Sequence, residues 1–223
     1  MINSPELIGS YEVENPEMMF CMYLPIKFAG DSKRYLPGNL SSYKDIINSS
    51  FNDYTSLMYE KFRKDTVTLR DRISMFSKHM DETYVYITVK HLHVSPRYSG
   101  NRGGWHIDGF GTQDINYIWT DKFPTEFCLQ DFNLSDDCEE SLREMEEQAC
   151  VGNIATFPEK SLLRLNSSVV HRVPEIKESG MRTFVKISFS KEKYNLVGNA
   201  HNYMKAYKWE MIERKENRNH TNG

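Results

Sequence analysis

A strict alternation of apolar and polar residues over residues 182–189 is the clearest periodic pattern in the chain. One face of this segment carries Thr183, Val185, Ile187 and Phe189, and the other carries Arg182, Phe184, Lys186 and Ser188. A period of two residues is the signature of a β-strand with two different faces, because successive side chains point to opposite sides of a sheet. The segment is therefore predicted to be a strand with one core-facing side.

Further β-branched and aromatic runs separated by turn residues predict several more short strands. They cover residues 18–24, 84–94, 114–119, 125–129, 154–157, 162–165 and 168–173. Many short strands in succession are typical of an antiparallel sandwich or jelly roll. We therefore expect a mostly β protein with flanking helices (α+β), built around a double-stranded β-helix (jelly-roll) core.

Helical spacing of apolar residues appears in two places. After the cap-type residues Ser41 and Ser42, one stripe runs to about Met80, and its members are Ile46, Phe51, Tyr54, Leu57, Met58 and Phe62. The acidic run 135–150 also has helical spacing, and we interpret it as a helix with a solvated face. Residues 1–40 contain four prolines and are expected to be irregular. The prediction is a single domain in which residues 1–81 pack on a core of residues 82–212, followed by a polar tail, 213–223.

Composition narrows the functional classes. The chain has 223 residues, 39% of them hydrophobic, and a net charge of −3, so it should fold and gives no electrostatic case for nucleic-acid binding by the whole chain. None of the four cysteines forms a Cys-x-x-Cys pair, which disfavours a zinc ribbon. No apolar run is long enough to span a bilayer. We expect a cytoplasmic protein with reduced thiols and no membrane partner.

Three residues carry the candidate chemistry. His106 and Asp108 are two positions apart in Trp-His-Ile-Asp-Gly, so in extended chain they point to the same side, and glycines flank the pair. His171 shares a face with Val169 and Val173 in a later predicted strand. Two imidazoles and one carboxylate can bind one face of an octahedral metal and leave the opposite face open. His106, Asp108 and His171 are therefore the predicted metal ligands and catalytic centre.

Two simpler interpretations compete with this site. His-x-Asp occurs by chance, and a lone histidine is more often a structural residue with a satisfied hydrogen bond than a ligand. The pair His91-x-His93 also has same-face spacing and resembles the beginning of a cupin metal site. No second ligand pair at cupin spacing follows it, so it ranks below the first set.

Residues 84–190 resemble the 2-oxoglutarate/Fe(II)-dependent dioxygenases, in which His-x-Asp, a distal His and a later basic residue occur in this order. The segment His171-Arg-Val-Pro-Glu-Ile-Lys-Glu-Ser-Gly-Met-Arg182 is similar to the prolyl-hydroxylase-type version, with a slightly longer spacing. The resemblance does not extend to the first 80 residues. It implies Fe(II), 2-oxoglutarate as co-substrate and O2.

The resemblance also implies residues that bind the co-substrate. A guanidinium suits the distal carboxylate because it donates two parallel charge-assisted hydrogen bonds, and Arg182 holds that position, with Lys186 in reserve. In the family a hydroxyl usually adds a bond, and Tyr86, Thr88 and Tyr117 are the candidates.

The resulting expectation is a hydroxylase that releases succinate and CO2. Its substrate stays open between a protein side chain, a small metabolite and a nucleobase, and its oligomeric state is not indicated. Residues 95–105, with basic and aromatic side chains, are interpreted as a mouth loop or as an ordinary polar loop. The alternatives are a non-catalytic, metal-binding jelly-roll (cupin-like) interaction module and a different metalloenzyme such as an isomerase.

Overall fold

The computed structural model describes residues 3–66 and 68–213, which contain nine β-strands and three α-helices. The helices are α1 (Lys44–Asp65), α2 (Leu69–Asp81) and α3 (Cys138–Gln148), and short 3-10 helices span Gly38–Tyr43 and Val151–Asn153. The strands are β1 (Glu6–Ser10), β2 (Met19–Lys27), β3 (Tyr84–Val94), β4 (Ile115–Thr120), β5 (Glu126–Cys128), β6 (Ile154–Thr156), β7 (Ser161–Leu165), β8 (His171–Arg172) and β9 (Gly180–Ser190).

The strands form two antiparallel sheets. The larger has the order β1-β7-β4-β9-β3-β2, and the smaller has the order β6-β5-β8. β3 and β9 pair along their whole length, with Ile87 opposite Ile187 and Lys90 opposite Phe184. The prediction of a mostly β, α+β protein is confirmed. Within the described residues, no helix is both apolar and long enough to cross a membrane.

The alternation in β9 separates a core from a cavity. Val185, Ile187 and Phe189 are buried in the main core together with the predicted stripe of α1. The rings of Tyr54 and Phe189 stack with centroids 4.0 Å apart. The polar face of β9 lies on the side of the large sheet away from α1. The large sheet therefore has one face covered by α1 and the other turned toward the small sheet and the functional residues.

The predicted strand over 18–24 is confirmed as β2, whereas the expectation that the rest of residues 1–40 is irregular is wrong for β1. These two are the edge strands of the large sheet. Pro25 lies inside β2, where it is tolerated because an edge strand needs hydrogen bonds on one side only. The predicted strand 168–173 is also shorter in the structure, since only His171 and Arg172 are paired as strand. Of the predicted polar tail, residues 214–223 lie outside the described residues.

The acidic segment forms α3, as the spacing predicted. Its first turn is capped by Asp137, whose carboxylate accepts hydrogen bonds from the backbone N–H groups of Glu139 and Glu140. Its apolar side is anchored by Met145, which is fully buried beside Trp105 and other residues of a small second core. This anchoring places α3 against the segment that carries His106, so the helix forms one wall of the functional cavity.

Candidate metal centre

His106 and His171 are held side by side by their own backbones. The N–H of His106 donates to the carbonyl of His171 at 3.0 Å, and the N–H of His171 donates back to His106 at 2.9 Å. This antiparallel bridge joins the loop before β4 to strand β8, and it brings the ring centroids to 4.5 Å. Two residues far apart in sequence therefore face the same point in space.

Each imidazole is oriented by a backbone carbonyl. Nδ1 of His106 lies 3.0 Å from the carbonyl oxygen of Gly104, and Nδ1 of His171 lies 3.0 Å from that of Val169. A carbonyl can only accept, so each Nδ1 carries the proton and donates it. The Nε2 atom of each ring is left on the side of the cluster, and a carbonyl acceptor on Nδ1 is the arrangement that usually orients metal-binding histidines.

Asp108 completes the cluster from a turn rather than from a strand. Its Oδ2 lies 3.5 Å from Nε2 of His171, and one ligand atom from each of the three residues lies within 4.8 Å of the others. The next residue, Gly109, has φ +73°, and a Cβ there would lie 2.8 Å from Cβ of Asp114. Glycine is thus required immediately after the ligand, for conformation and for space.

Lys186 is the counter-ion of this cluster. Its Nζ lies 3.0 Å from both carboxylate oxygens of Asp108, and its side chain is 8% exposed. Burial opposes ionisation of Asp108, but Lys186 and then the imidazoles outweigh it and hold the pKa of the carboxyl well below its usual range. Burial likewise disfavours the ammonium, yet Asp108 raises the pKa of Lys186.

Burial also keeps His106 neutral. It lowers the pKa of the imidazole to about 4, and the neighbouring His171 acts in the same direction. A metal ligand must offer a free lone pair, so an imidazole that resists protonation is suited to that role.

A cavity of about 460 Å³ opens beside the cluster. Its wall includes all three predicted ligands, side chains of β3, β4 and β9, the buried side of α3 and residues 193–196. This volume is within the range of small-molecule sites. The cluster therefore faces a space in which a co-substrate and a small molecule have room to bind.

Three basic residues follow the cavity side of the large sheet. Lys186, Lys90 and Arg182 lie on one face because Lys90 pairs with Phe184, midway between the other two on β9. Within residues 3–66 and 68–213, Lys90 donates to neutral oxygens alone, the carbonyl of Gly100 at 3.0 Å and the side-chain amide of Asn101 at 2.9 Å. Burial, with Lys186 and Arg182 nearby, lowers its pKa to about 8.

Arg182 is 2% exposed and is not part of the cavity wall. Its Nε donates to the carbonyls of Lys122 and Phe123, both at 3.2 Å, and its guanidinium lies 5.3 Å from the centre of the Phe184 ring. Among the described residues its Nη2 has no hydrogen-bond partner and no carboxylate forms a salt bridge with it. Burial lowers its pKa to about 10.

The three hydroxyl candidates lie in different places. Tyr117 is on the helix-covered face of β4 and donates to Asp53 at 2.8 Å, so the structure does not bring it to the cluster. Tyr86 is buried, donates to the carbonyl of Glu192 and stacks on Tyr194. Thr88 lines the cavity next to Lys186. Strand parity explains Tyr117, because parity assigns residues to two faces without saying which face borders the cavity. Tyr86 shares a face with Thr88 but lies two residues before it in β3, beside Tyr194.

Among the cavity residues that were not predicted, two lie close to Lys186. Lys90 could have been found, because it shares a strand face with Thr88 in β3. Tyr23 could not, since it projects from an irregularity in the pairing of β2 with β3 and has φ +51°. Its backbone N–H donates to Thr88 Oγ1 at 3.0 Å, and its hydroxyl lies 3.3 Å from Nζ of Lys186. A non-glycine residue at positive φ beside a site is a recurrent sign of function.

The rival histidine pair does not form a ligand cluster. Nδ1 of His91 lies 2.8 Å from the hydroxyl of Thr183, and His93 is exposed. The group of His106, Asp108 and His171 is the one potential metal-binding set found in the described part of the chain. From the predicted mouth loop, Asn101 and Arg102 line the cavity, whereas the aromatic Tyr98 is exposed outside it.

Comparisons with known proteins identify no family. No protein-family model matches the chain, and curated protein sequences contain no match. Among solved structures, the crystal structure of EvdO2 from Micromonospora carbonacea var. aurantiaca matches with 13% identity and a TM-score of 0.32. The match covers 49% of this chain and 53% of that one, so the chain spans about half the length of that protein. At this level the likeness carries no argument about fold or function.

Proposed function

We propose that this chain is an Fe(II)- and 2-oxoglutarate-dependent oxygenase that hydroxylates a C–H bond and releases succinate and CO2. The observation that carries the proposal is the convergence of His106, Asp108 and His171 on one point of a cavity wall, with both Nδ1 atoms held by backbone carbonyls. We also propose that the two facing sheets are the two layers of a jelly roll.

The donor set fits a non-haem Fe(II) ion. Two neutral imidazoles and one carboxylate occupy one side of such a metal and leave positions open for other ligands. In this proposal Nε2 of His106, Nε2 of His171 and a carboxylate oxygen of Asp108 hold the ion. When bound, Fe(II) and 2-oxoglutarate supply the activation of O2 and the oxidative decarboxylation that drives hydroxylation.

The basic residues on β3 and β9 fit a dicarboxylate. A buried cation without a counter-ion is unfavourable, and Arg182 and Lys90 form no salt bridge within the described chain. We propose that Lys90, which lines the cavity, binds the distal carboxylate of 2-oxoglutarate, with Thr88 as the hydroxyl donor. Arg182, buried outside the cavity wall, adds positive charge behind it. Lys186 keeps Asp108 ionised and in place. Phe184 and Ile118 place apolar side chains in the cavity wall, where they limit the access of water.

Anaerobic titration with Fe(II) and 2-oxoglutarate tests this proposal. We expect the weak visible charge-transfer band of the metal chelate under anaerobic conditions. After O2 is admitted, we expect slow 2-oxoglutarate consumption that needs both Fe(II) and O2. Asp108→Ala should abolish succinate formation. His106→Ala should weaken metal binding by more than the roughly 10–100-fold loss seen for an outer hydrogen-bond partner. His93→Ala, an exposed histidine outside the cluster, is the matched control and should behave as wild type.

The same assay separates the alternatives. A non-catalytic, cupin-like metal-binding module would bind metal and consume no 2-oxoglutarate. An isomerase would turn over without O2 and without 2-oxoglutarate. Full succinate formation by purified Asp108→Ala would refute the oxygenase proposal directly.

A further inference from the structure

The cavity is basic although the chain as a whole is acidic. Five basic side chains line it, against two carboxylates, whereas the net charge of the whole sequence is −3. The basic residues are Lys90, Arg102, Arg172, Lys186 and Lys193. A concave site lined by one sign of charge focuses its field and concentrates ligands of the opposite sign. The charge distribution of the cavity therefore favours the binding of anionic ligands.

Part of this charge is neutralised by the protein. Lys186 pairs with Asp108, and Arg172 pairs with Glu126 at 2.7 Å while its guanidinium covers the Trp105 ring. The other cavity carboxylate, Asp114, accepts a hydrogen bond from the hydroxyl of Tyr194. Even with Arg102 left out of the count, Lys90 and Lys193 outnumber Asp114 once these pairs are removed.

Binding of the proposed cofactors does not reverse the balance. A divalent metal and a doubly charged 2-oxoglutarate cancel each other in net charge, so the excess of basic side chains persists. Lys90 and Lys186 lie on the sheet beside the cluster and belong with the co-substrate. Lys193 is exposed and Arg102 is half-buried, so these two lie nearer the solvent than Lys186, which is buried.

The size of the cavity limits the occupant. About 460 Å³ must hold the co-substrate and the reacting part of the substrate, which favours a small molecule. Asn195 and Asn199 line the same region, where their side-chain amides donate to the carbonyls of Glu210 and Tyr194.

We propose that the substrate is a small molecule carrying a carboxylate or a phosphate, and that Arg102 and Lys193 bind this anionic group at the outer part of the cavity. The inference rests on the oxygenase proposal above and names the substrate class of that site. A guanidinium and an ammonium from two separate segments, the loop after β3 and the segment after β9, are suited to either oxyanion.

Matched probes test this inference. Uridine 5′-monophosphate is compared with uridine, and benzoate with benzamide, by calorimetric titration of the metal-free protein and again of the protein loaded anaerobically with Fe(II) and 2-oxoglutarate. The anionic member of at least one pair should bind at least about tenfold more tightly, equivalent to about 1.4 kcal/mol. The preference should shrink as ionic strength rises. The pair that responds distinguishes phosphate from carboxylate.

Charge-removing variants locate the site. Arg102→Gln/Lys193→Gln should lose the preference for the anion, while Arg102→Lys/Lys193→Arg should keep most of it. Lys78→Gln, an exposed lysine on α2, is the control and should bind as wild type. Circular dichroism checks that each variant is folded, and the chelate band with 2-oxoglutarate should be unchanged in the double glutamine variant.

Three results would overturn the inference: equal binding of anionic and neutral probes, an anion preference that survives the double glutamine variant, or loss of the 2-oxoglutarate chelate in that variant. The last would show that the two residues bind co-substrate. If wild type forms no chelate yet binds anions through these residues, the oxygenase proposal fails and the anion site stands.

Discussion

Lys186→Met separates the charge balance of the site from its shape. Methionine keeps an unbranched chain of similar length but removes the ammonium that lies 3.0 Å from both oxygens of Asp108. The carboxylate is then left in a mostly buried position without its counter-ion. We expect the metal-free protein to become less stable and its dependence on metal to become stronger.

The magnitude follows from the burial of the pair. Removal of one partner of a buried ion pair costs about 3–5 kcal/mol, because the remaining charge is uncompensated. Side-chain exposures of 8% for Lys186 and 19% for Asp108 place this pair toward the lower value, as does the ability of the carboxyl to take up a proton. We therefore expect a loss of about 3 kcal/mol in the unfolding free energy of the metal-free variant.

Bound metal should restore most of the unfolding free energy that the variant loses. A cation bound between His106, Asp108 and His171 replaces the missing positive charge. If about 2 kcal/mol is recovered, metal affinity rises by roughly 30-fold relative to wild type, in which the metal must compete with Lys186 for Asp108. The direction of the change in metal affinity is informative. If Lys186 were purely structural, its replacement would leave metal affinity unchanged or lower it.

Urea unfolding with a chelator, and again with saturating Ni(II), measures both quantities. Ni(II) is a suitable probe because imidazole ligands bind it well and it does not need anaerobic handling. Asp108→Asn/Lys186→Met removes both charges and should regain most of the metal-free stability while binding metal poorly. Unchanged stability of metal-free Lys186→Met, or weaker Ni(II) binding by it, would refute the reasoning.

Two further predictions concern the turn after Asp108 and the acid stability of the helix layer. Gly109→Ala should destabilise the protein by about 1–3 kcal/mol or more and weaken metal binding. The alanine would have to adopt a positive φ, and its Cβ would also clash with Asp114. Gly111→Ala, which has φ +74° but no atom within 4 Å of the new Cβ, should cost less in the same urea assay. Burial, and then Lys191, lower the pKa of His79 from 6.5 to about 4 in the folded protein. As pH falls from 6.5 to about 4, the unfolded chain therefore binds a proton at His79 that the folded protein does not, and the unfolding free energy decreases. His79→Gln should flatten the dependence of unfolding free energy on pH between about 4 and 6.5, and an unchanged slope would contradict this.

Local sequence features were sufficient wherever a short-range rule applies. The alternation in β9 predicted its two faces because strand periodicity is a local property of the backbone. The stripe on α1 predicted its buried side for the same reason, and burial of Tyr54, Met58 and Phe62 confirms it. β1 was missed because an edge strand pairs on one side only and leaves a weak pattern.

The sequence by itself determined the candidate ligands, the glycines that flank them and the alternation that divides β9. These depend on side-chain chemistry and on neighbours within a few residues. Only the tertiary structure decided that His106 and His171 share a backbone bridge, that Lys186 pairs with Asp108, and that Tyr117 points away from the cavity. These depend on strand register and on which face of the large sheet α1 covers. Both arise from contacts between residues far apart in the chain, which no local pattern contains.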